Sequence, residues 1–252
     1  LTKEIGDTRA SRRYFARARG EQLVPATLLV LAVTVVVTIT AWASLGTRVD
    51  LYPILELDKP AVLDGEWWRL WTVTLVHAPP PFGYLHLGFN MYACYLAGSL
   101  VEQLYGSRLF VLFYLLGAAS GSVASVLFGG ERPSVGASGA VFALFGVLLA
   151  VSRAHHPLVD RRARALLAQL GPIVAFNLVF GFLNAGAIDN AAHVGGLAGG
   201  LWLGYLLVPG RVPTLRTAWQ QPGGAISSRS AETALRWLGV VALVGLLVAG
   251  LL

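Results

Sequence analysis

Seven apolar stretches run along this chain, and they restrict it to folds that a lipid bilayer can hold. They occupy residues 23–45, 84–104, 109–128, 137–152, 165–182, 191–208 and 235–252. Most approach the roughly 20 residues that a helix needs to cross the hydrocarbon core, and the fourth is short. A soluble protein of this size would need a charged surface, but only 13% of the 252 residues are charged and 56% are hydrophobic. The sequence therefore predicts an all-α polytopic membrane protein.

Positive charges collect in the gaps that would face the cytoplasm. Six lysine and arginine residues lie in the tail of residues 1–22, and four arginines lie in each of two later segments, 153–164 and 211–236. The positive-inside rule assigns such gaps to the cytoplasm, whereas a nucleic-acid-binding protein gathers its charge on one face. We therefore expect a cytoplasmic N-terminal tail, an outer loop at 46–83, a flexible cytoplasmic linker at 209–234, an extracytoplasmic C-terminus and no nucleic-acid partner.

The basic tail carries no small-residue cleavage site, so we expect no cleaved signal peptide. Arginine far outnumbers lysine, which favours a GC-rich bacterial genome and hence a bacterial plasma membrane. In the outer loop Trp67, Trp68 and Trp71 lie close together. Because tryptophan prefers the headgroup region, we expect this loop to lie in the outer membrane interface, where an aromatic belt anchors the fold.

Polar residues interrupt three of the apolar stretches at one depth. Ser138 lies fifteen residues before Arg153, the inner anchor of its helix. Asn90 lies fifteen or sixteen residues before the turn at 105–106, and His193 the same number before the break at 208–209. At 1.5 Å per residue all three fall at one level, about 8 Å below the outer face of a core roughly 30 Å thick. His86 lies one turn further out than Asn90, on the same helical face. Polar side chains inside a membrane are candidates for a functional site.

Small residues form a stripe on each of two of these helices. Such faces let transmembrane backbones approach closely. Helices that pack through the two stripes would bring Ser138 and His193 within reach of each other, which is the arrangement of a serine nucleophile and its histidine base. The stripes comprise Gly139, Ala143 and Gly146 on the fourth helix, and Gly196, Gly200 and Gly204, below His193, on the sixth.

Each of these polar residues also has a structural interpretation. Ser138 would cap its helix, His193 would bond a backbone carbonyl, and His86 and Asn90 would join neighbouring helices. Their common depth and the small-residue stripes favour a joint site. Asp189, one turn outward of His193, would either complete a triad or cap the sixth helix, and its place before the apolar stretch favours the cap.

A metal centre is the chemical competitor, and the sequence argues against it. Amides are poor zinc ligands, no H-E-x-x-H motif is present, and no carboxylate lies beside a histidine in the second or fourth helix. The single cysteine, Cys94, excludes a multi-cysteine site and an internal disulfide. We therefore expect no metal and no other cofactor.

An ordered set of motifs resembles the rhomboid intramembrane serine proteases. The motifs appear in the family's order and cover most of residues 67–204. They are "WWRLW" at 67–71, "HLGFN" at 86–90, "GSLVEQLYGSRLF" at 98–110, "GASGAVFALFG" at 136–146 and "NAAHVGGLAGG" at 190–200. The resemblance implies a rhomboid-like six-helix bundle, with a catalytic core at 23–208, plus a seventh C-terminal transmembrane helix at 235–252.

The resemblance also implies a mechanism. Ser138 and His193 fall on the family's catalytic dyad, which cleaves a peptide bond in or near a transmembrane segment. His86 and Asn90 fall on the oxyanion-stabilising positions, together with the backbone N–H of Ser138. The substrates would be transmembrane proteins that reach the site laterally from the lipid bilayer.

Further positions match the family as supporting residues, with two departures from its pattern. Gly136 falls on the first glycine of the serine motif, on the oxyanion side, and Arg69 on a structural arginine of the Trp-Arg motif. Gly139 and Gly196 open the predicted helix seam. Phe142 replaces a tyrosine found in some members, and its ring can still pack on His193. The other departure is "APPPFGY" at 78–84, which widens the spacing between His77 and His86.

Two other classes of function remain as alternatives. A rhomboid-like binder without catalysis would carry a damaged dyad, whereas here the dyad is intact. A transporter would carry inverted repeats and deeper acidic residues, and the sequence has neither. His77, which follows the tryptophan-rich stretch, either lies near the site or supports the loop.

Overall fold

The computed structural model describes residues 24–154, 170–183, 188–207 and 226–252, and this part of the chain is mainly helical. The predicted tail at 1–22 and most of the predicted linker lie outside the described residues. In chain order the helices are α1 (Pro25–Ser44), α2 (Tyr52–Leu55), α3 (Lys59–Leu63), α4 (Arg69–Thr72), α5 (Phe82–Tyr105), α6 (Ser107–Phe128), α7 (Ser138–Ala154), α8 (Leu170–Leu183), α9 (Asn190–Leu206) and α10 (Ile226–Ala249).

A helix lies in each of the seven predicted apolar stretches, in agreement with the all-α prediction. By length and composition, α1 and α6 are long and apolar enough to cross a membrane, and α7 and α10 contain shorter apolar segments. Helix α10 differs from the prediction, because it begins at Ile226 inside the segment assigned to the linker. The sequence AETALR at 231–236 is rich in good helix formers, which favours helix ahead of residue 235.

Helix α7 lies at the centre of the described helices. Its residues from Ala140 to Leu148 are apolar or glycine, and most are buried on every face, as expected for a helix surrounded by others. Its main neighbours are α9 and α6, which also pack against each other. The largest side chains of this core include Phe110, Phe113, Leu144, Leu148 and Leu203.

Helices α7 and α9 meet backbone to backbone along the predicted stripes, which confirms that packing. A methyl group added at Gly196 would overlap the carbonyl oxygen of Gly139, and one added at Gly200 would overlap that of Ala143. We call this contact the glycine seam; it comprises Gly139, Ala143 and Gly146 of α7 with Gly196, Gly200 and Gly204 of α9. Because backbone atoms touch, the seam leaves the two helices little freedom to slide.

The carboxylate of Glu102, near the C-terminus of α5, joins that helix to the N-termini of α1 and α6. It accepts hydrogen bonds from the backbone N–H groups of Ala26 (3.0 Å) and Thr27 (2.8 Å), from the Thr27 hydroxyl (2.7 Å) and from the Ser107 hydroxyl (2.6 Å). A negative charge at the N-terminus of α1 satisfies its free N–H groups and its dipole. Glu102 therefore fixes α1 against the junction of α5 and α6.

The outer loop is folded into short helices rather than extended. Arg69 is buried in it, and its guanidinium donates to the Glu56 carbonyl oxygen (2.8 Å) and to the Glu66 carboxylate (2.6 Å). Trp71 donates its indole N–H to the carbonyl oxygen of Leu115 on α6 (3.1 Å). These contacts hold the loop together and against the side of α6.

Candidate active site

The segment that leads into α7 is held by its backbone against the outer loop. We call residues 134–138 the serine segment. Ser134 and Leu57 exchange two backbone hydrogen bonds (2.9 and 3.1 Å), and the N–H of Gly136 donates to the Val73 carbonyl oxygen (3.0 Å). The segment therefore enters the helix on a fixed path.

Gly136 occupies a position that only glycine fits well. Its φ is +122°, a conformation that L side chains rarely adopt. A Cβ there would also lie 2.9 Å from Nε2 of His86. The missing side chain thus lets the backbone turn and brings the His86 ring against the serine segment.

Ser138 and His193 face each other across the top of the glycine seam. The Oγ of Ser138 lies 2.8 Å from Nε2 of His193, which is buried. Ser138 is the first residue of α7, and the Val141 N–H donates to the carbonyl oxygen of Ala137, so Ala137 occupies the N-cap position. The interpretation of Ser138 as an N-cap is therefore wrong, because the helix begins one residue too early for it.

The His193 ring is oriented by stacking on an aromatic side chain. The rings of Phe142 and His193 lie 4.3 Å apart between centroids and 7° from parallel, as expected from the sequence. Nδ1 of His193 is buried without a hydrogen-bond partner among the described residues. If Ser138 donates to Nε2, then Nδ1 carries the ring proton.

His86 presents one ring nitrogen to the serine segment. Its Nδ1 accepts a hydrogen bond from the backbone N–H of Ala78 (3.3 Å). The neutral ring then carries its proton on Nε2, the atom that lies beside Gly136. The amide of Asn90, one turn below, donates to the His86 carbonyl oxygen (3.0 Å) and keeps one N–H for another partner.

His77 supports the serine segment from behind. Its fully buried ring accepts from the Ala137 N–H at Nε2 (3.4 Å) and contacts Thr38 Oγ1 through Nδ1 (3.1 Å). Thr38 donates its own proton to the Leu75 carbonyl oxygen (2.8 Å), so His77 Nδ1 is the donor in that pair. Burial, aided by the neighbouring His86, lowers the pKa of His77 to about 3, so the ring is neutral at physiological pH.

Thr38 is a contact that the sequence reasoning missed. A sequence signal was available, because three threonines of α1 lie on one helical face. In the structure all three are fully buried. They are Thr27, Thr34 and Thr38.

Asp189 is the N-cap of α9, as predicted. Its Oδ1 accepts from the Ala192 N–H (3.0 Å), and its Oδ2 accepts from the hydroxyls of Ser125 and Ser134. Burial by itself would raise the pKa of Asp189, but these hydrogen bonds and the charge of Lys59 outweigh burial and lower it. The sequence reasoning also missed Ser125 and Ser134, because no motif or spacing in the sequence relates either serine to Asp189.

A small cavity adjoins Ser138 on the side of α6. The centre of a water molecule can occupy about 20 Å³ of it, enough for roughly one water. Its polar lining includes Thr74, Ser122, Ser134, Ser138 and Asp189. In the described part of the chain, no group of three histidine, cysteine, aspartate or glutamate residues is arranged to hold a metal ion.

Comparison with known proteins places this chain among relatives of one kind. A sequence model of the Rhomboid domain matches residues 64–210. The Rhomboid protease GluP of Bacillus subtilis is 40% identical over 145 residues, which are 58% of this chain and 27% of that protein. The putative rhomboid protease YdcA of the same organism is 36% identical over 151 residues, 58% of this chain and 70% of YdcA.

A plant protein shows the same level of similarity. RHOMBOID-like protein 5 of Arabidopsis thaliana is 36% identical over 154 residues, which are 60% of this chain and 48% of the plant protein. The similarity thus spans about a quarter of the length of GluP and about half of the plant protein.

Proposed function

The chain belongs to the rhomboid family of membrane proteins, and on this basis we propose that it is an intramembrane serine endopeptidase. It cleaves transmembrane segments of membrane proteins near the outer membrane face. One observation carries the proposal: Ser138 Oγ and His193 Nε2 lie 2.8 Å apart on two different helices. The names of GluP and YdcA as rhomboid proteases support the same reaction class.

The first half of the reaction forms an acyl-enzyme. Nε2 of His193 takes the Ser138 proton while Oγ attacks the carbonyl carbon of the scissile peptide. The tetrahedral intermediate then collapses, and the imidazolium returns its proton to the leaving amine. In the second half, His193 deprotonates a water that attacks the ester and releases Ser138. The small cavity beside Ser138 offers that water a place next to the acyl group.

The oxyanion is stabilised by hydrogen-bond donors from α5 and from the start of α7. The Nε2–H of His86, the second N–H of the Asn90 amide and the backbone N–H groups at the start of α7 supply hydrogen bonds. The N-terminus of α7 adds the positive end of its dipole. Such preorganised donors act at the atom where negative charge develops, and each typically contributes about 10²–10³ in rate.

The topology follows from the distribution of charge. The six helices between residues 23 and 208 cross the plasma membrane of a bacterium, and α10 adds a seventh crossing. The basic tail and the linker face the cytoplasm, and the outer loop lies at the opposite interface. The substrate helix reaches Ser138 laterally from the lipid and unwinds locally, because its scissile carbonyl must leave the helical hydrogen-bond ladder.

The decisive experiment compares the parent protein with Ser138→Ala in liposomes that contain a model transmembrane substrate. Ser152→Ala is the matched control, because that hydroxyl lies at the other end of α7 and bonds its own helix. We expect the parent and Ser152→Ala to cut the substrate and to be labelled by a fluorophosphonate, and Ser138→Ala to do neither. A parent that neither cuts nor labels would favour a non-proteolytic rhomboid-like binder.

A further inference from the structure

The carboxylate of Asp189 lies where the helix of the base meets the segment of the nucleophile. Its main chain begins α9, and its carbonyl oxygen accepts from the N–H of His193 (3.2 Å). One side-chain oxygen, Oδ1, caps the same first turn through Ala192 (3.0 Å). Asp189 is therefore bound through two groups to the turn of α9 that carries His193.

The other oxygen of this carboxylate reaches away from α9. Oδ2 accepts a hydrogen bond from Ser134, four residues before Ser138 in the serine segment. It also accepts one from Ser125, which is fully buried on α6. Ser134 is itself held by two backbone hydrogen bonds to Leu57 in the outer loop. One carboxylate thus links three parts of the structure that are distant in sequence.

The hydrogen bonds of Asp189 differ from those of the third residue of a catalytic triad. In a serine-protease triad the carboxylate accepts from Nδ1 of the histidine. Here the known partners of Asp189 are Ala192, Ser125 and Ser134, while Nδ1 of His193 has no hydrogen-bond partner in the described residues. The carboxylate thus bonds the turn of α9 that carries His193 rather than the ring of His193.

We propose that Asp189 is a positioning residue that ties the helix of His193 to the serine segment and thereby sets the distance between Ser138 and His193. The inference rests on the proposed function. A displacement of about 1 Å between reacting groups can cost on the order of 100-fold in rate, so the tie affects the chemical step directly. Because the distance between the reacting groups governs the chemical step, we expect kcat to change more than KM.

The test uses the full-length protein in liposomes with three variants. Asp189→Ala removes all side-chain bonds. Asp189→Asn keeps the cap, since asparagine is an equally good N-cap, and its amide still bonds the two serine hydroxyls. Asp58→Ala is the matched control, because Asp58 caps the outer-loop helix α3 with a bond of the same length, 3.0 Å, to Ala61.

We expect Asp189→Ala to lower kcat and the rate of fluorophosphonate labelling of Ser138 by about 10- to 100-fold, with KM changed less than about 3-fold. Asp189→Asn should recover most of the lost kcat, and Asp58→Ala should keep the parent kcat. A kcat in Asp189→Asn as low as in Asp189→Ala would overturn the inference in favour of a catalytic charge.

Two further outcomes bear on the inference. Parental kcat in Asp189→Ala would overturn it and leave the proposed function intact, whereas a parent that neither cuts nor labels overturns both. If Asp189→Ala does not fold, Ser134→Ala decides, because it removes only the link to the serine segment and leaves the cap of α9 in place. We then expect a loss of kcat with an unchanged KM, and a parental kcat in Ser134→Ala would contradict the inference.

Discussion

The backbone of Gly196 rests directly on the carbonyl oxygen of Gly139, and a methyl group added at Gly196 would overlap that oxygen. Gly139 follows Ser138 immediately, and Gly196 lies one turn below His193. One of the backbone contacts between α7 and α9 therefore lies next to the candidate dyad. A change in this contact is transmitted to the distance between Ser138 and His193, because both side chains leave helices fixed by it.

Substitution of Gly196 by alanine tests that coupling. The added methyl group must push α9 away from α7, and overpacking of this kind typically costs about 1–3 kcal/mol. We expect Gly196→Ala to lower the midpoint of thermal unfolding in detergent and to slow fluorophosphonate labelling of Ser138. The control is Gly245→Ala on α10, where an added Cβ meets nothing within 4 Å. Equal labelling rates in the two variants would contradict the coupling.

The oxyanion role of His86 leads to a second prediction. We expect His86→Ala to reduce kcat by about 10²–10³ with a smaller change in KM, because an oxyanion donor acts on the transition state. Phe89→Ala on the same helix is the control, since Phe89 is 69% exposed. Single-turnover cleavage of a transmembrane substrate measures both. A kcat for His86→Ala within about 3-fold of the parent would remove His86 from the oxyanion site.

The placement of helices could be predicted from the sequence because lipid imposes it. A chain in hydrocarbon must satisfy its backbone within each segment, so apolar runs become helices of predictable length. The pairing of Ser138 with His193 could be predicted because these two residues lie on such helices. The helical rise is regular enough to compare depths, and the spacing of Gly139 and Gly196 showed which faces could meet.

The contacts around the site could not be predicted, because they depend on loops. The bonds of Asp189 to Ser125 and Ser134 and the bond of His77 to Thr38 join segments that no periodicity relates. The serine segment takes its path from backbone pairing with the outer loop, and the early start of α10 reflects helix propensity in a polar stretch. Such contacts can be identified only when the tertiary structure is known.

The buried ring of His77 predicts a pH dependence of stability. Its pKa is lowered to about 3 in the folded protein, against an ordinary value of 6.5, so the unfolded state binds more protons between these values. The contribution of His77 to the free energy of unfolding is therefore complete above about pH 6.5 and falls as the pH is lowered toward 3. Chemical unfolding in detergent micelles at several pH values measures it.

The variant His77→Gln isolates this effect. Its amide oxygen can accept from Ala137 and its amide N–H can donate to Thr38, but it does not titrate. We expect this variant to lose less stability than the parent between pH 6.5 and pH 4. Identical pH profiles would mean that other groups cause the acid sensitivity.

The stack of Phe142 on His193 gives the last prediction. Nδ1 of His193 has no hydrogen-bond partner in the described part of the chain, so the ring contact and the hydrogen bond to Ser138 are the interactions that orient the imidazole. Aromatic pairs contribute about 0.5–1.5 kcal/mol beyond their buried area, which corresponds to about 2- to 10-fold in rate. We therefore expect Phe142→Leu to lower kcat by that factor and Phe142→Tyr to keep it.

Phe145→Leu is the matched control for this change. Phe145 lies one turn further along α7, and the centroid of its buried ring is 6.0 Å from that of Phe142. We expect Phe145→Leu to lower the unfolding midpoint while kcat stays at the parent value, because its ring is not stacked on His193. If both leucine variants lost kcat equally, general loosening of the core would explain the effect and the stack would have no specific role in orienting the base.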